Sequence, residues 1–341
     1  MDSDKEPVLS LDQVLEYKYL GTFGSMWKTT LNKQKTILTT ANKYKGSVIY
    51  ISRDGPDVVD VIDCTWNNVA VPAILFGCEM LPLTEMTIET VERSQCSGAK
   101  YVLGVPSGAP NICAQTELGW KPFRQILYEK QLSFFFRALF LHDDRWLKLA
   151  MMEHLSGSWN SPYLKYISNI RSKIGMFVAP ATVSTMMKEI SDYFLASVNS
   201  EVQSLVLKTL TPLRAFTKAS YVFEHEFLSV LAQFRLGVAG LGNRDPRLGH
   251  QRQSYCPLCP VLVVNDELHL VGTCPSVSGL RAETGITSFM NDCRSKNISL
   301  TVAYQRFVNG EDWSGNQVPL PSYIERGRAL AALRKCWLSR W

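Results

Sequence analysis

Apolar residues recur every three or four positions along most of this 341-residue chain, and this spacing predicts a mainly helical protein. One helical region is predicted across residues 57–103, where Gly104 supplies a stop signal. A long amphipathic helix is predicted to begin near Phe123, after a turn at residues 119–122. The predicted inward faces carry Val58, Val61, Ile62, Thr65 and Trp66, then Ile88, Val91, Gln95, Ala99 and Val102, and then Ile126, Leu127, Phe134, Phe135, Ala138 and Leu139.

The remaining parts of the chain carry weaker patterns. Imperfect alternation over residues 8–24, with turn signals at Gly21 and Gly24, predicts short strands. Residues 156–217 contain three helical patterns separated by prolines, an arrangement typical of a helical connector. Further helices are predicted at residues 224–236 and 324–341, the last with an apolar seam of Leu330, Leu333 and Trp337.

A basic segment between Trp27 and Arg53 contains no acidic residue. Leu31, Ile37, Leu38 and Ala41 supply the apolar side of a predicted helix, and we expect the lysines to lie on the opposite face. Two interpretations stay open: an ordinary solvated helix face, or a surface that binds a polyanion such as a nucleic-acid backbone. The absence of balancing carboxylates favours the polyanion. The basic residues are Lys28, Lys33, Lys35, Lys43, Lys45 and Arg53.

The composition is that of a folded protein, with 46% hydrophobic and 11% aromatic residues and a net charge of +5. Six of the nine cysteines lie scattered among apolar neighbours, which predicts buried reduced thiols in a nuclear or cytoplasmic protein rather than a disulfide framework: Cys64, Cys78, Cys96, Cys113, Cys293 and Cys336. The polar start of the chain predicts no signal peptide. The most apolar run, residues 69–83, is broken by Pro72, Glu79 and Pro82, so no association with a membrane is predicted.

The strongest chemical signal is a C-x2-C-x9-H-x4-C pattern formed by Cys256, Cys259, His269 and Cys274. Three thiolates and one imidazole form the tetrahedral ligand set of a structural zinc site, so one Zn²⁺ is the predicted cofactor. Asn265 or Asp266 is expected to cap a short helix that carries His269, and Arg244, Arg247, His250 and Arg252 make the approach to the site basic.

Two other interpretations of this pattern stay open. A redox C-x-x-C pair needs no downstream histidine and usually opens a helix after a βαβ strand, a pattern that this sequence lacks. Four unrelated core cysteine and histidine positions would give the same letters by coincidence.

Several segments resemble the C-terminal half of reverse transcriptases from non-LTR (LINE-type) retroelements, and the resemblance covers nearly the whole chain. It rests on the order and spacing of the segments together, since no single one is specific. The segments are 17–21 (YKYLG), 71–79 (VPAILFGCE, similar to P-x-L-x-Y-G-x-E), 92–95 with 102–106 (VLGVP), 117–120 (ELGW), 234–237 (FRLG) and the Cys/His pattern with 267–269 and 274–275.

The resemblance implies a fold and a division of the chain. The fold is mainly α, with short N-terminal β strands, a helical thumb bundle, a helical linker and a small CCHC zinc knuckle. The implied domains are 1–24 (strands at the end of a palm domain), 25–150 (thumb), 151–236 (linker), 237–285 (knuckle) and 286–341 (basic helical extension). In that family the thumb holds a template–primer duplex, so RNA or DNA is the implied partner. The nucleic-acid contacts predicted here are Lys28, Lys33, Lys35, Lys43, Lys45, Arg53, Arg244, Arg247 and Arg252.

The resemblance also implies an absence of catalysis. The family's aspartates, which hold Mg²⁺ for nucleotide transfer, would precede Tyr17, so Mg²⁺ is expected only if a separate palm-bearing polymerase chain supplies them. Phe140 to Asp144 imitates the aspartate motif, but it follows a predicted helix and is interpreted as the start of a loop. No nuclease motif follows Cys274. The alternative function is a zinc-stapled helical module, derived from a retroelement, that binds acidic protein partners.

Overall fold

The computed structural model describes residues 16–19, 22–25, 29–51, 58–156, 162–176, 180, 182–203, 225–239, 255, 256, 258, 259, 263 and 266–339. Among these residues, none of the helices combines the length and apolarity that crossing a membrane requires. The elements are β1 (Glu16–Tyr19), β2 (Thr22–Ser25), α1 (Thr29–Ile51), α2 (Val58–Cys64), α3 (Val71–Leu75), α4 (Glu85–Val102), α5 (Asn111–Glu117), α6 (Phe123–Leu139), α7 (Trp146–Ser156), α8 (Pro162–Lys173), α9 (Val183–Gln203), α10 (His225–Arg235), α11 (Ser278–Glu283), α12 (Ile286–Ser295), α13 (Leu300–Val308) and α14 (Leu320–Leu338).

The prediction of a mainly helical protein is confirmed. The described strands β1 and β2 are four residues each and pair antiparallel, with Glu16 opposite Ser25. Their assignment to the end of a palm domain stays a prediction, as do the predicted domain boundaries.

Helices α4 and α6 form the centre of the first group of helices. The residues predicted to face inward on α4, from Ile88 to Val102, are all buried, and α1 packs along this helix. On α6, Leu127, Phe135 and Ala138 are buried as predicted, whereas Ile126, Phe134 and Leu139 are partly buried. The core therefore lies between α1, α4, α6 and the helices that cover them.

The segment between α2 and α3 departs from α-helical geometry. Residues Thr65–Ala70 form a π-helix that connects the two helices without a break. Its Trp66 stacks on Trp120, with ring centroids 5.3 Å apart, and Trp120 donates a 2.8 Å hydrogen bond to Asp63. Val61, predicted to face inward, is exposed instead, because the inward line of this segment runs through Ile62 and Trp66.

Buried glutamines connect the loops of this bundle. Gln95 donates to the carbonyl oxygen of Lys121 at 2.9 Å and accepts from the backbone N–H of Phe123 at 3.0 Å. Gln131 donates to the carbonyl oxygens of Cys78 and Leu81 at 3.0 and 3.1 Å. These bonds satisfy backbone groups that would otherwise be unpaired inside the bundle, so they fix the loops before α4 and α6.

The C-terminal helices gather around α10. Helix α14 packs along α10, and its predicted seam residues Leu330, Leu333 and Trp337 are fully buried. Helix α13 also contacts α10, and α12 packs against α13; Cys293 on α12 and Phe307 on α13 are buried. The last predicted helix is therefore confirmed, although it begins at Leu320 rather than at residue 324.

A buried ion pair joins α10 to the first group of helices. Arg235 donates from Nε to Glu117 Oε1 at 2.8 Å, and both side chains are only 1% exposed. The same guanidinium donates to Asn309 Oδ1 at 2.6 Å, after the end of α13. One charged group thus ties the end of α5 to α10 and to the C-terminal helices.

Candidate metal centre

Cys256, Cys259, His269 and Cys274 converge although up to 18 residues separate them. Cys256 donates its backbone N–H to Val263 at 2.8 Å, and Cys259 donates its own to Cys256 at 3.4 Å, so the first two cysteines lie on one tight loop. Ser276 fastens that loop through a hydrogen bond to the carbonyl oxygen of Leu258.

A short π-helical turn, His269–Thr273, positions the other two ligands. Asp266 caps this turn, since its Oδ1 accepts from the backbone N–H of His269 at 2.7 Å. The N–H of Cys274 donates to the carbonyl oxygen of His269, five residues earlier, at 2.7 Å. The predicted cap at Asp266 is therefore confirmed, and the wide turn brings Cys274 beside His269.

The four ligand atoms lie close enough together to surround one ion. The Sγ atoms of Cys256 and Cys274 are 3.9 Å apart, those of Cys259 and Cys274 are 3.5 Å apart, and Cys259 Sγ lies 3.3 Å from His269 Nε2. All four atoms lie within 4.8 Å of one another. Ligands at usual zinc bond lengths are roughly 3.5–3.8 Å apart in a tetrahedral site. These residues can hold one metal ion.

The second ring nitrogen of His269 has a hydroxyl partner that fits the tautomer required of a metal ligand. His269 Nδ1 lies 3.0 Å from Thr273 Oγ1, and that hydroxyl can donate to the carbonyl oxygen of His269 at 3.5 Å. The hydroxyl oxygen is then free to accept from Nδ1–H. This leaves the lone pair on Nε2, the atom that faces the three cysteines, as a metal ligand requires.

The pKa values of the ligand side chains show how burial affects their charge. Burial raises the pKa of Cys256, and burial together with the thiols of Cys259 and Cys256 raises the pKa of Cys274 to about 12. Burial lowers the pKa of His269, which keeps the imidazole neutral. Three clustered thiolates are thus unfavourable alone, and a divalent cation is the natural way to stabilise them.

The predicted nucleic-acid contacts fare differently from one another. Lys35 and Lys43 are exposed on α1, and Lys45 is half-buried. Lys28, Arg53, Arg244, Arg247 and Arg252 lie outside the described residues, so their contacts stay predictions.

The placement of Lys33 on the outward face of α1 is wrong. Its side chain is 2% exposed, and its ammonium donates to the carbonyl oxygen of Phe76 and lies 5.6 Å from the centre of that ring. Lys33 precedes Ile37 and Ala41 by four and eight residues, so all three share the inward face of the helix. Burial lowers the pKa of Lys33. A lysine buried in this way cannot reach a phosphate.

The acidic pair after α6 behaves as predicted for a loop. Asp143 and Asp144 are exposed and engage neighbours: Asp143 pairs with Lys148 at 2.6 Å, and Asp144 lies 2.9 Å from His142 Nδ1. The Cys/His site is the cluster of metal-ligating side chains found in the described part of the chain.

Three features of the structure were not predicted from the sequence. Gly46 and Tyr50 lie on the same exposed face of α1 as Lys43, and Arg281 is buried near the Cys/His site. Gly46 and Tyr50 could have been predicted, because they follow Lys43 by three and seven residues and so share its side of the helix. Arg281 has no local signal, because its position depends on how α11 packs.

Comparison with known proteins gives no family for this chain: no family model, no curated protein and no solved structure matches it.

Proposed function

We propose that this protein is the nucleic-acid-binding C-terminal portion of a LINE-type reverse transcriptase, with a structural zinc ion and no polymerase site of its own. The single observation that carries the proposal is an exposed helix face on α1 that bears lysines and no carboxylate, on the same chain as a Cys3His cluster. The family assignment comes from the sequence resemblance described above. The nucleic-acid-binding function is supported by the chemistry of the α1 face and of the Cys/His cluster.

Zinc is the metal that we assign to the Cys/His cluster. Three thiolates and one imidazole are soft and borderline donors, which zinc accepts in closed four-ligand structural sites. Each ligand is a protein side chain, so the site leaves no position for a substrate. The zinc would therefore stabilise the fold around it rather than catalyse a reaction.

The polyanion-binding face of α1 consists of Lys35, Thr39, Asn42, Lys43, Gly46 and Tyr50. These residues lie on one side of the helix at 100° per residue, and all six are exposed. No acidic residue occurs between Trp27 and Arg53, so the face attracts phosphates without internal competition. Lysines without a run of interleaved aromatic residues favour the backbone of a duplex over stacked single strands.

Gly46 supports the same proposal by a different argument. A glycine in the middle of a helix costs roughly 0.5–1 kcal/mol relative to alanine. A Cβ added at Gly46 would meet nothing within 4 Å, so packing inside the protein does not require this glycine. A partner whose backbone approaches the helix closely would require it. Tyr50, 68% exposed one turn later, can lie along the same partner.

A protein-binding role is the second candidate, and one surface favours it. Trp146 is 86% exposed at the start of α7, and Leu149 and Met152 are exposed on the same side of that helix. Such a side is typical of a protein contact. This surface is separate in sequence from the lysines of α1, so the two functions can be tested independently.

The test of the proposed function is a salt titration on a fluorescent RNA–DNA hybrid duplex. We expect Lys35→Gln with Lys43→Gln to weaken binding equally for all duplex sequences and to flatten the slope of log affinity against log salt by about 1.8, since each contact contributes roughly 0.9. The matched control is Lys165→Gln with Lys188→Gln, two exposed lysines on α8 and α9. Identical slopes in all three proteins would overturn the proposal.

Gly46→Ala adds a test that separates binding from folding. The substitution should stabilise the helix, because the added methyl group meets open space. We expect this variant to have a higher free energy of unfolding and a lower affinity for the duplex. Stronger or unchanged binding would show that no partner approaches this part of α1.

A further inference from the structure

The ligand set of the metal centre carries an unbalanced charge. This argument rests on the zinc assignment above: Zn²⁺ with three thiolates and a neutral imidazole has a net charge of about −1. Cys256, His269 and Cys274 are buried, so water does not compensate that charge well. A buried anionic centre of this kind needs a cation nearby or a set of hydrogen-bond donors.

Arg281 is a buried cation that can supply this positive charge. It lies on α11, its side chain is 8% exposed, and its guanidinium donates to the carbonyl oxygen of Leu270 at 3.3 Å. Leu270 belongs to the π-helical turn that starts at His269 and ends before Cys274. The guanidinium is therefore attached to the backbone that carries two of the four ligands.

The electrostatic surroundings of Arg281 point the same way. Burial lowers its pKa, whereas Cys274 and Cys259 act to raise it, so the ligand thiols are its stabilising neighbours. Among the described residues, no carboxylate forms an ion pair with Arg281. A buried arginine without a carboxylate partner would be costly unless another negative charge were present.

We infer that Arg281 is the counter-charge of the metal centre: it positions the ligand turn through Leu270 and offsets the negative charge of the metal–thiolate group. The metal–thiolate group and the guanidinium then stabilise each other, because their opposite charges compensate one another inside the protein. Arg281 is a positioning residue and does not ligate the ion. Its removal should weaken zinc binding without changing the ligands.

The experiment separates the charge of Arg281 from its hydrogen bond. Arg281→Gln is neutral and keeps an N–H donor for Leu270, whereas Arg281→Lys keeps the positive charge. Arg294→Gln, at an exposed position in the last turn of α12, is the matched control. Zinc affinity of each full-length protein is measured by competition with a chromophoric chelator, and the cobalt-substituted spectra report whether the three-sulfur, one-nitrogen ligand set is retained.

We expect Arg281→Gln to lower zinc affinity by about 10–100-fold with an unchanged cobalt spectrum, and Arg281→Lys and Arg294→Gln to remain near the wild type. If Arg281→Gln misfolds and added zinc restores its fold, the inference is also supported, because the variant then folds only when zinc is supplied in excess. Wild-type affinity in Arg281→Gln, equal losses in the Gln and Lys variants, or misfolding that zinc does not reverse would each overturn the inference. A wild-type protein that binds no zinc would instead refute the proposed zinc site.

Discussion

The helices around α4 and α6 and the helices around the Cys/His site are stabilised in different ways. Helices α4 and α6 are 18 and 17 residues long, and Phe123, Leu127 and Leu132 are fully buried between them and their neighbours. Helices α11, α12 and α13 are only 6, 10 and 9 residues long. Helices that short are marginal in isolation, so their arrangement depends on what they pack against.

The ties between segments differ in the same manner. In the first group, hydrocarbon packing dominates: exposed ion pairs such as Arg93 with Glu89 contribute little, and the buried polar bonds of Gln95 and Gln131 fix the loops. Near the Cys/His site, polar bonds connect single residues from distant segments: Ala239 accepts from Arg334 at 3.2 Å and donates to Glu267 at 3.3 Å. On the proposed zinc assignment, the C-terminal part depends on the metal and on a few directional bonds, which single substitutions can remove.

Loss of a metal ligand should produce the largest effect. Cys274→Ser removes a buried thiolate and with it a metal term that is about 10–16 kcal/mol in zinc-finger peptides. We expect no bound zinc, loss of the cooperative unfolding of the C-terminal helices, and a preserved transition for the α4–α6 core.

Metal analysis and two-probe thermal melts measure this effect. Leu132→Ala is the comparison, since it should cost about 2–5 kcal/mol in the core transition and leave the zinc content at one per chain. A Cys274→Ser protein with wild-type zinc content would break the comparison.

Zinc binding should depend steeply on pH. The raised pKa of Cys256 and of Cys274, the latter to about 12, keeps these thiols protonated near neutral pH when no metal is bound, whereas the lowered pKa of His269 keeps the imidazole neutral. Metal binding then releases at least two protons, one each from Cys256 and Cys274, and affinity should rise at least about a hundredfold per pH unit. Calorimetry in buffers of different ionisation enthalpy counts these protons. Fewer than two protons would mean that the thiols are already ionised.

Breaking the buried pair between Arg235 and Glu117 should have the next largest effect. Glu117→Gln leaves Arg235 charged and buried, so we expect a loss of about 3–5 kcal/mol in unfolding free energy. Glu117→Leu with Arg235→Met removes both charges, and we expect it to be much less destabilising than either single change. Urea denaturation of all variants gives the coupling energy, and additive losses would show that the pair is not a unit.

The smallest effect is expected from removing one helix cap in each of the two regions. Thr84 caps α4 and accepts from Thr87 N–H at 3.3 Å, and Ser299 caps α13 and accepts from Val302 N–H at 3.4 Å. Each alanine substitution should cost about 1 kcal/mol. We expect chelation of the metal to abolish the effect of Ser299→Ala and to leave that of Thr84→Ala unchanged. Equal responses to chelation would contradict the division.

The sequence predicted the parts of this structure whose causes are local. Ile88, Val91 and Val102 are spaced by the helical repeat, so their burial follows from the pattern alone. The Cys/His site was also predictable, since a tight loop and a short turn bring its ligands together. The same holds for the buried seam of α14.

What the sequence could not predict depends on contacts between distant segments. Glu117 and Arg235 are 118 residues apart, and nothing in either segment indicates that they pair. Lys33 was misplaced because its polar end finds a carbonyl group at Phe76, a partner that exists only after folding. Of the six cysteines outside the metal pattern, which were predicted to be buried, Cys64 is exposed and Cys336 is half-buried. Cys64 is exposed because α2 buries the side that carries Ile62.

Hydrogen exchange of the intact protein, with and without a strong zinc chelator, is the sharpest test of the difference between the two groups of helices. We predict that chelation speeds exchange in the turn at His269–Thr273, in α12 and α13, which pack against this turn, and in α11, which is bonded to it through Arg281. Exchange in α4 and α6 should stay unchanged. Equal protection with and without the chelator throughout the C-terminal helices, or a uniform loss that includes α4 and α6, would contradict this prediction.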